Sequence, residues 1–466
     1  MKTVFIAAPC TYSTRNLLRT DFLKVLKSAK DIKIVILSPA FVDSAFVEEF
    51  TDKNVLVEKL WWFNNNWNYE YGMLEMLYRA FSKEFLYDPD SCETARIKTE
   101  VYKQRSSEIL AAIREITTKT LAKSRSLKKI VRKMEMLVFP DQAYEKVFEK
   151  YNPRVCIVPF PFYPNLYPVV RRAARNKVPL IYYVMGFDNL TAKGDHSVLA
   201  NKLIVWNEIM RGEAVKYHYY HPGDVWVTGP IQFDIYFRKY LPSKEEFFRK
   251  IGADPNKKLI TYCTMSVEVG PADPELIEIL NKNIKEGKFI YPCQLVVRPS
   301  PKDLREYSKF KDNIVLEFGR PAKYFAQGWD ATLEDMVDLA CLLKYSDVWI
   351  QTASTTAIEA SFFDTPVISI AFDGYKQRPY WASSTRCYSY THYRPVVEYG
   401  ATTIVRSGEE LVCAINEYLK NPAKDRAGRK KIVKLEFEHV DGKSAERAAK
   451  MVLNFLAESG EKRGAK

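Results

Sequence analysis

The chain is most informative at Ser346-Asp347-Val348-Trp349-Ile350-Gln351-Thr352-Ala353-Ser354-Thr355-Thr356-Ala357-Ile358-Glu359-Ala360-Ser361-Phe362-Phe363-Asp364-Thr365-Pro366-Val367. A short apolar run, Val348 to Gln351, gives way to small hydroxyl residues, and helical spacing runs from Ser354 to Phe363. Pro366 to Ile370 then reads as another buried strand. A strand, a hydroxyl-rich turn and a helix start aim backbone amides and the positive end of a helix dipole at one spot. That combination suits phosphate, and the dipole alone is worth roughly 0.3 to 2 kcal/mol. Glu359 shares the helical face of Thr355 and offers a carboxylate to the two hydroxyls of a ribose. Plain helix capping by Ser354 or Thr355 is the competing reading.

Outward from this stretch, strand and helix patterns alternate. Lys258 to Cys263, Gln294 to Arg298 and Asn313 to Glu317 read as strands, with helices at Asp273 to Glu286 and Thr332 to Lys344. The first half gives strands at Lys2 to Cys10, Lys33 to Pro39, Arg154 to Pro159, Pro179 to Met185, Lys202 to Trp206 and Val225 to Thr228. Helices are expected at Arg15 to Lys27 and Leu166 to Asn176. The pattern predicts an α/β chain of two Rossmann-like domains. The first spans 1–240 and carries a helical insertion at about 45–150. A linker at 241–257 leads to a second domain at 258–440, and a helix with a loose tail occupies 441–466.

With 466 residues the chain exceeds one ordinary core. No apolar run reaches the roughly 20 residues of a membrane span, and the short apolar start reads as a strand rather than a signal peptide. Eight scattered cysteines show no Cys-x-x-Cys pair and no zinc spacing, so a cytoplasmic location is expected. The net charge of +13 implies an anionic partner without choosing one. Much of it lies in the helical stretch Arg96 to Lys133, where a solvated face, an anionic membrane surface and nucleic acid are all open readings.

Other turns offer chemistry. Cys10 to Leu17 is a strand-to-helix turn where Ser13, Arg15 and Asn16 can meet an anionic acceptor. Met185 to Gly194 places Gly186, Asp188 and Asn189 at a strand end. Asp188 is a candidate base for an acceptor hydroxyl, with an Asx turn as its alternative. His196 lies beside that loop and is the histidine best placed for proton transfer. No Asp-x-Asp metal motif stands at a strand end. Asp88-Pro89-Asp90 matches only the letters, and no metal is expected.

The Ser354 to Val367 segment resembles the donor-binding motif of GT-B nucleotide-sugar enzymes, with its small-residue turn, early glutamate and following Pro-Val strand. It is also similar to bacterial surface-polysaccharide enzymes, including CDP-glycerol glycerophosphotransferases. The resemblance implies a GT-B arrangement, with donor pyrophosphate at Ser354, Thr355 and Thr356 and ribose at Glu359. It further implies donor contacts at Thr264 and Ser266, where the first strand of the second domain ends. Leu295 to Pro301 resembles an Arg-Pro-His-Pro strand end in transferase and epimerase relatives, which implicates Arg298. Ser300 stands in place of that histidine, which counts against a sugar 2-epimerase.

The resulting expectation is a glycosyltransferase that moves a sugar from a nucleotide-activated donor to a glycan or lipid-linked acceptor, with the donor as substrate and no separate cofactor. A glycerophosphate-type transferase or sugar-nucleotide epimerase of the same fold is the alternative. A nucleic-acid-binding protein using the basic helices is a third and less favoured class. Peripheral docking on the inner face of an anionic membrane is the expected setting if the basic helices meet lipid.

Overall fold

Seven runs of the first half pair as parallel strands: β1 (Lys2–Ala7), β2 (Ile32–Ser38), β3 (Val55–Lys59), β4 (Pro153–Pro159), β5 (Leu180–Tyr183), β6 (Lys202–Val205) and β7 (Val225–Val227). Their spatial order is β3-β2-β1-β4-β5-β6-β7. Alternation along β1 shows why both faces are covered. Val4 and Ile6 enter one apolar layer, Phe5 and Ala7 the other. The computed structural model describes residues 1–61, 92–121, 124–139, 141–160, 163–194, 198–238, 240–307, 309–316, 319–325 and 328–464.

The second half repeats the scheme with β8 (Lys258–Cys263), β9 (Cys293–Arg298), β10 (Ile314–Val315), β13 (Val348–Gln351), β14 (Val367–Ile370) and β15 (Thr403–Val405). These form a parallel sheet in the order β10-β9-β8-β13-β14-β15. Chain direction across the sheet reverses between β1 and β4 in the first lobe and between β8 and β13 in the second. Open α/β sheets form their ligand crevice at such a switch point, beyond the carboxyl ends of the strands. A separate antiparallel pair, β11 (Arg320–Pro321) and β12 (Trp329–Asp330), projects from the second lobe.

Several elements differ from the sequence reading. The stretch expected to be helical from about 45 opens with a helix at Ser44–Phe50 and then contributes β3, an edge strand whose register is Ile34↔Val55 to Ser38↔Lys59. Helices Glu93–Lys103, Glu108–Leu121 and Arg125–Val138 then lie between β3 and β4. The single helix expected at Arg15 to Lys27 is broken. A wide turn at Thr14–Leu18 precedes a helix at Asp21–Ser28, which Thr20 caps by accepting from the Phe22 amide. The last helix, Ser444–Gly464, continues through residues read as a tail. It returns to the first lobe, where Ala445, Ala448, Ala449 and Val452 join the layer containing Val4 and Leu26. Asp234 caps its start by accepting from the Ser444 and Ala445 amides at 3.1 and 2.8 Å.

Among the described residues the contacts that join the lobes include an aromatic cluster, a threonine pair and a buried ion pair. Phe233, Tyr236 and Phe237 pack on Phe362, Phe363 and Phe437, with Phe362 stacked on Phe437 at 5.1 Å. Thr94 of the insertion and Thr391 of the second lobe exchange amide-to-hydroxyl bonds of 3.2 and 2.9 Å. Arg19 reaches across to Asp330 on β12 at 2.7 Å and also pairs with Glu49 at 2.6 Å. Arg19 and Asp330 have side chains only 5% and 3% exposed, so this ion pair is shielded from water.

Candidate functional site

The loops after β1 and β9 face one another across the cleft, and the ring of Tyr12 marks where they meet. Arg15 of the first lobe and Lys302 of the second both approach that ring, each 5.5 Å from its centroid. Burial, opposed by the charges of Arg15 and Arg298, pushes the Tyr12 hydroxyl up to about 12. Arg15 is aimed by Asn16, whose side-chain oxygen accepts from Nε at 2.9 Å. Asn16 is itself anchored, donating to Tyr183 at 3.3 Å and to Gln232 at 3.4 Å.

The loop after β5 supplies the acidic counterpart. Asp188 pairs with Lys193 at 3.1 Å. Burial alone would raise its carboxyl, but Lys193, His392 and Lys302 outweigh that and hold it well below the usual carboxylate range. Burial also drives His392 down to about 4, so its ring is neutral at ordinary pH and the lysines carry the lasting stabilisation. Lys302 is lowered as well, by burial and by Lys193 nearby. Asn189 braces the turn: it donates to Asp188 at 2.8 Å and accepts from the Met185 and Gly186 amides at 3.2 Å. Gly186 fits because a Cβ there would stand 3.1 Å from Asp188 Oδ1 and 3.2 Å from Asn189 Nδ2.

On the second-lobe side, the turn after β13 places Ala353 at φ 41°, a left-handed conformation costly for a residue with a Cβ. The helix that follows is Thr356–Phe362. The Ser354 amide donates to the Gln351 side chain and the Thr356 amide to Ser354 Oγ at 3.3 Å. The Thr355 amide has no acceptor among the described residues. Glu359 is buried and accepts a hydrogen bond from the hydroxyl of Tyr236, across the lobe boundary. Burial and the adjacent Glu359 charge raise the Tyr236 hydroxyl well above its ordinary value, so it remains a donor.

The sequence-selected residues therefore divide. Arg15, Asp188, Arg298 and Glu359 lie around the cleft, with Arg298 and Arg15 both acting on Tyr12 and Tyr236. Ser354 and Thr355 stand half-buried at the turn below them. Others are taken up by local structure. Ser13 bonds back to Cys10, donating at 2.7 Å and accepting at 3.2 Å. Thr264 donates to Asp303 at 2.6 Å and accepts the Ser300 amide at 2.9 Å. Ser266 bonds Glu268, Ser300 accepts the Lys302 amide at 3.4 Å, and the Thr356 hydroxyl accepts from Trp349 at 3.1 Å. Glu359 has one carboxylate oxygen committed to Tyr236, where the sequence reading offered the carboxylate to both hydroxyls of a ribose. His196 and the Asp88 to Asp90 motif lie outside the described residues.

Sequence reasoning missed Tyr12, Lys193, Tyr236, Lys302 and His392. The basic pattern at Arg298, Lys302 and Arg305 was a usable signal for Lys302. Tyr236 meets Glu359 across a separation of 123 residues, and no local periodicity reports such a contact.

No protein-family model and no curated protein sequence matches the chain. Solved structures do resemble it. A UDP co-structure of S. aureus MnaA aligns over 98% of this chain and 97% of its own, with a TM-score of 0.55 at 14% identity. The UDP-GlcNAc 2-epimerase from Neisseria meningitidis, bound to UDP-GlcNAc, covers 97% and 100% with a TM-score of 0.55 at 11% identity. A glycosyltransferase from Rickettsia africae covers 98% of each chain with a TM-score of 0.50 at 10% identity. At these identities the likeness concerns the fold, and the fold is GT-B-like: two Rossmann-like lobes with a cleft between their strand ends.

Proposed function

We propose that the protein is a nucleotide-sugar-dependent glycosyltransferase that moves a sugar to a glycan or lipid-linked acceptor. The observation that carries this reading is the convergence of Arg15, Arg298 and Lys302 from both lobes on one aromatic-walled cleft. Arg298 is buried and Arg15 half-buried, and cations shielded in this way interact far more strongly with a diphosphate than surface cations do, while Lys302 adds an exposed charge at the rim. Glu359 is suited to a ribose hydroxyl through its remaining oxygen, and Ser354 and Thr355 to phosphate oxygens. UDP, named for two of the structural neighbours, is the first nucleotide to test.

In this reading the donor diphosphate offsets the positive cleft and takes up the negative charge of bond cleavage as the leaving group. Asp188 is too acidic to be an effective base while Lys193 and Lys302 face it alone. An anionic donor beside those lysines draws on the same charge and raises the Asp188 carboxyl toward a useful range. Proton removal from an acceptor hydroxyl is thereby coupled to donor binding. The cations belong to the chain itself, so the reading invokes no resident cofactor.

A sugar-nucleotide 2-epimerase is the second reading, favoured by the preponderance of such enzymes among the structural neighbours and weakened by Ser300. A glycerophosphate-type transferase would use the same diphosphate contacts. Incubation with UDP-GlcNAc, with and without a panel of glycan and lipid-linked acceptors, separates the first two. Acceptor-dependent release of UDP supports the transferase. Acceptor-free conversion to the C2 epimer replaces it with the epimerase, and failure of any nucleotide sugar to bind removes both.

A further inference from the structure

The helix Arg125–Val138 is built inside out. Its buried side chains are charged: Lys128 donates to the Tyr219 hydroxyl at 3.1 Å, and Glu135 pairs with the fully buried Arg171 at 3.4 Å. Its solvent-facing side includes an apolar row flanked by charge. Leu127, Ile130, Met134 and Leu137 recur at intervals of three and four, which sets them on one face, and all are exposed, Leu137 to 72%. The preceding helix, Glu108–Leu121, repeats the pattern with Ile109, Ile113 and Ile116, of which Ile109 is 73% exposed. Each such side chain left in water forgoes the stabilisation that burial would give it. A face of this kind is built for a partner.

The surrounding charge selects that partner. Lys129 and Lys133 are exposed beside the stripe, as is Arg125 at its start. From Lys103 to Lys133 the sequence holds ten lysines or arginines against only Glu108 and Glu115. A second copy docked on the stripe would set like charges side by side, and RNA would satisfy the lysines while leaving the isoleucines in water. An anionic bilayer matches both features.

We propose that these two helices dock the protein on a membrane surface rich in anionic lipid, with the apolar stripe entering the headgroup boundary and the lysines resting on the phosphates. The inference is independent of the chemistry in the cleft. Among the described residues no helix is long and apolar enough to cross a membrane, and the docking proposed for these two helices is peripheral.

Co-sedimentation of the full chain with phosphatidylglycerol-containing vesicles, and with pure phosphatidylcholine vesicles, tests it. Wild type is expected to partition onto the anionic vesicles and to be released by high salt. Lys129→Glu with Lys133→Glu should lower the partition coefficient by at least about 25-fold, roughly fivefold per lysine. Ile130→Ser with Met134→Ser and Leu137→Ser should lower it comparably, with circular dichroism and nucleotide affinity unchanged. Absence of wild-type partitioning overturns the proposal, as does full retention by the serine variant. Sedimentation velocity that finds a dimer dissolved by the serine variant overturns it in favour of a second copy, and tight salt-sensitive RNA binding without vesicle binding does so in favour of nucleic acid.

Discussion

Cations beside the cleft and the exposed lysines of the outer helix Arg125–Val138 are held in opposite ways. Beside the cleft three are fixed by their surroundings: Lys193 by Asp188, Arg15 by Asn16 and the Tyr12 ring, Arg19 by Asp330 and Glu49. On the outer helix Lys129 and Lys133 stand in solvent beside exposed apolar side chains. Both regions contribute to the net charge of +13. Charge count alone does not distinguish them, but desolvation does. An enclosed cation acts strongly on a ligand within a few ångströms, whereas an exposed one acts weakly and only alongside its neighbours.

The largest effect of breaking an enclosed charge is expected at the lobe clasp. Arg19→Ala leaves the buried Asp330 with Arg320, at 2.8 Å, as its remaining cation, and should destabilise the fold by about 3 kcal/mol in urea unfolding. The exposed pair Lys282 and Glu286, 3.9 Å apart, should give no measurable change when Lys282 becomes alanine. Equal effects at the two sites would erase the distinction between enclosed and exposed charge.

Next in size is Arg298→Ala, expected to weaken nucleoside diphosphate binding by about 100-fold in titration calorimetry, the upper range for a charge-assisted contact. Lys129→Ala should leave that affinity unaltered. Glu359→Ala sharpens the account within the cleft. It should cost about tenfold in affinity with the fold intact by circular dichroism, as loss of one ribose contact would. An unchanged affinity removes the ribose role.

The smallest effect concerns enclosed charge of the other sign. Burial, partly offset by the hydrogen bond from Asn207, raises Glu436 to about 7 from its ordinary 4.5. An acid raised on folding stabilises fully below its unfolded value and loses that contribution as pH climbs to the folded one. Between about pH 5 and about pH 8 the melting temperature should therefore fall, and Glu436→Gln should flatten that fall by a few degrees. A variant whose melting temperature falls as steeply as wild type would show that Glu436 does not titrate in this window.

The sheet was legible where strands are buried on both faces. Lys258–Cys263 and Val348–Gln351 have the bounds their apolar runs suggested, because central parallel strands leave little choice of residue type. Val55–Lys59 and Thr403–Val405 escaped because edge strands are short and half-exposed. The cleft was legible as a place, through strand ends followed by turn residues, but less so as a set of contacts. Ser13 and Thr264 are hydroxyls that satisfy nearby groups, the competition that makes every such residue ambiguous in sequence. Tyr236 and Arg19 act across the lobes, and Arg19 reaches Asp330 over 311 positions, where no periodicity extends.

Thermal melting against a panel of nucleoside diphosphates and nucleotide sugars tests the interlobe diphosphate site most directly, run on wild type beside the double variant Arg15→Ala with Arg298→Ala. The account predicts that at least one nucleotide, at about 100 times its Kd, stabilises wild type by about 2.7 kcal/mol and scarcely affects the variant. A panel that moves neither protein, or a nucleotide that stabilises both equally, would contradict it.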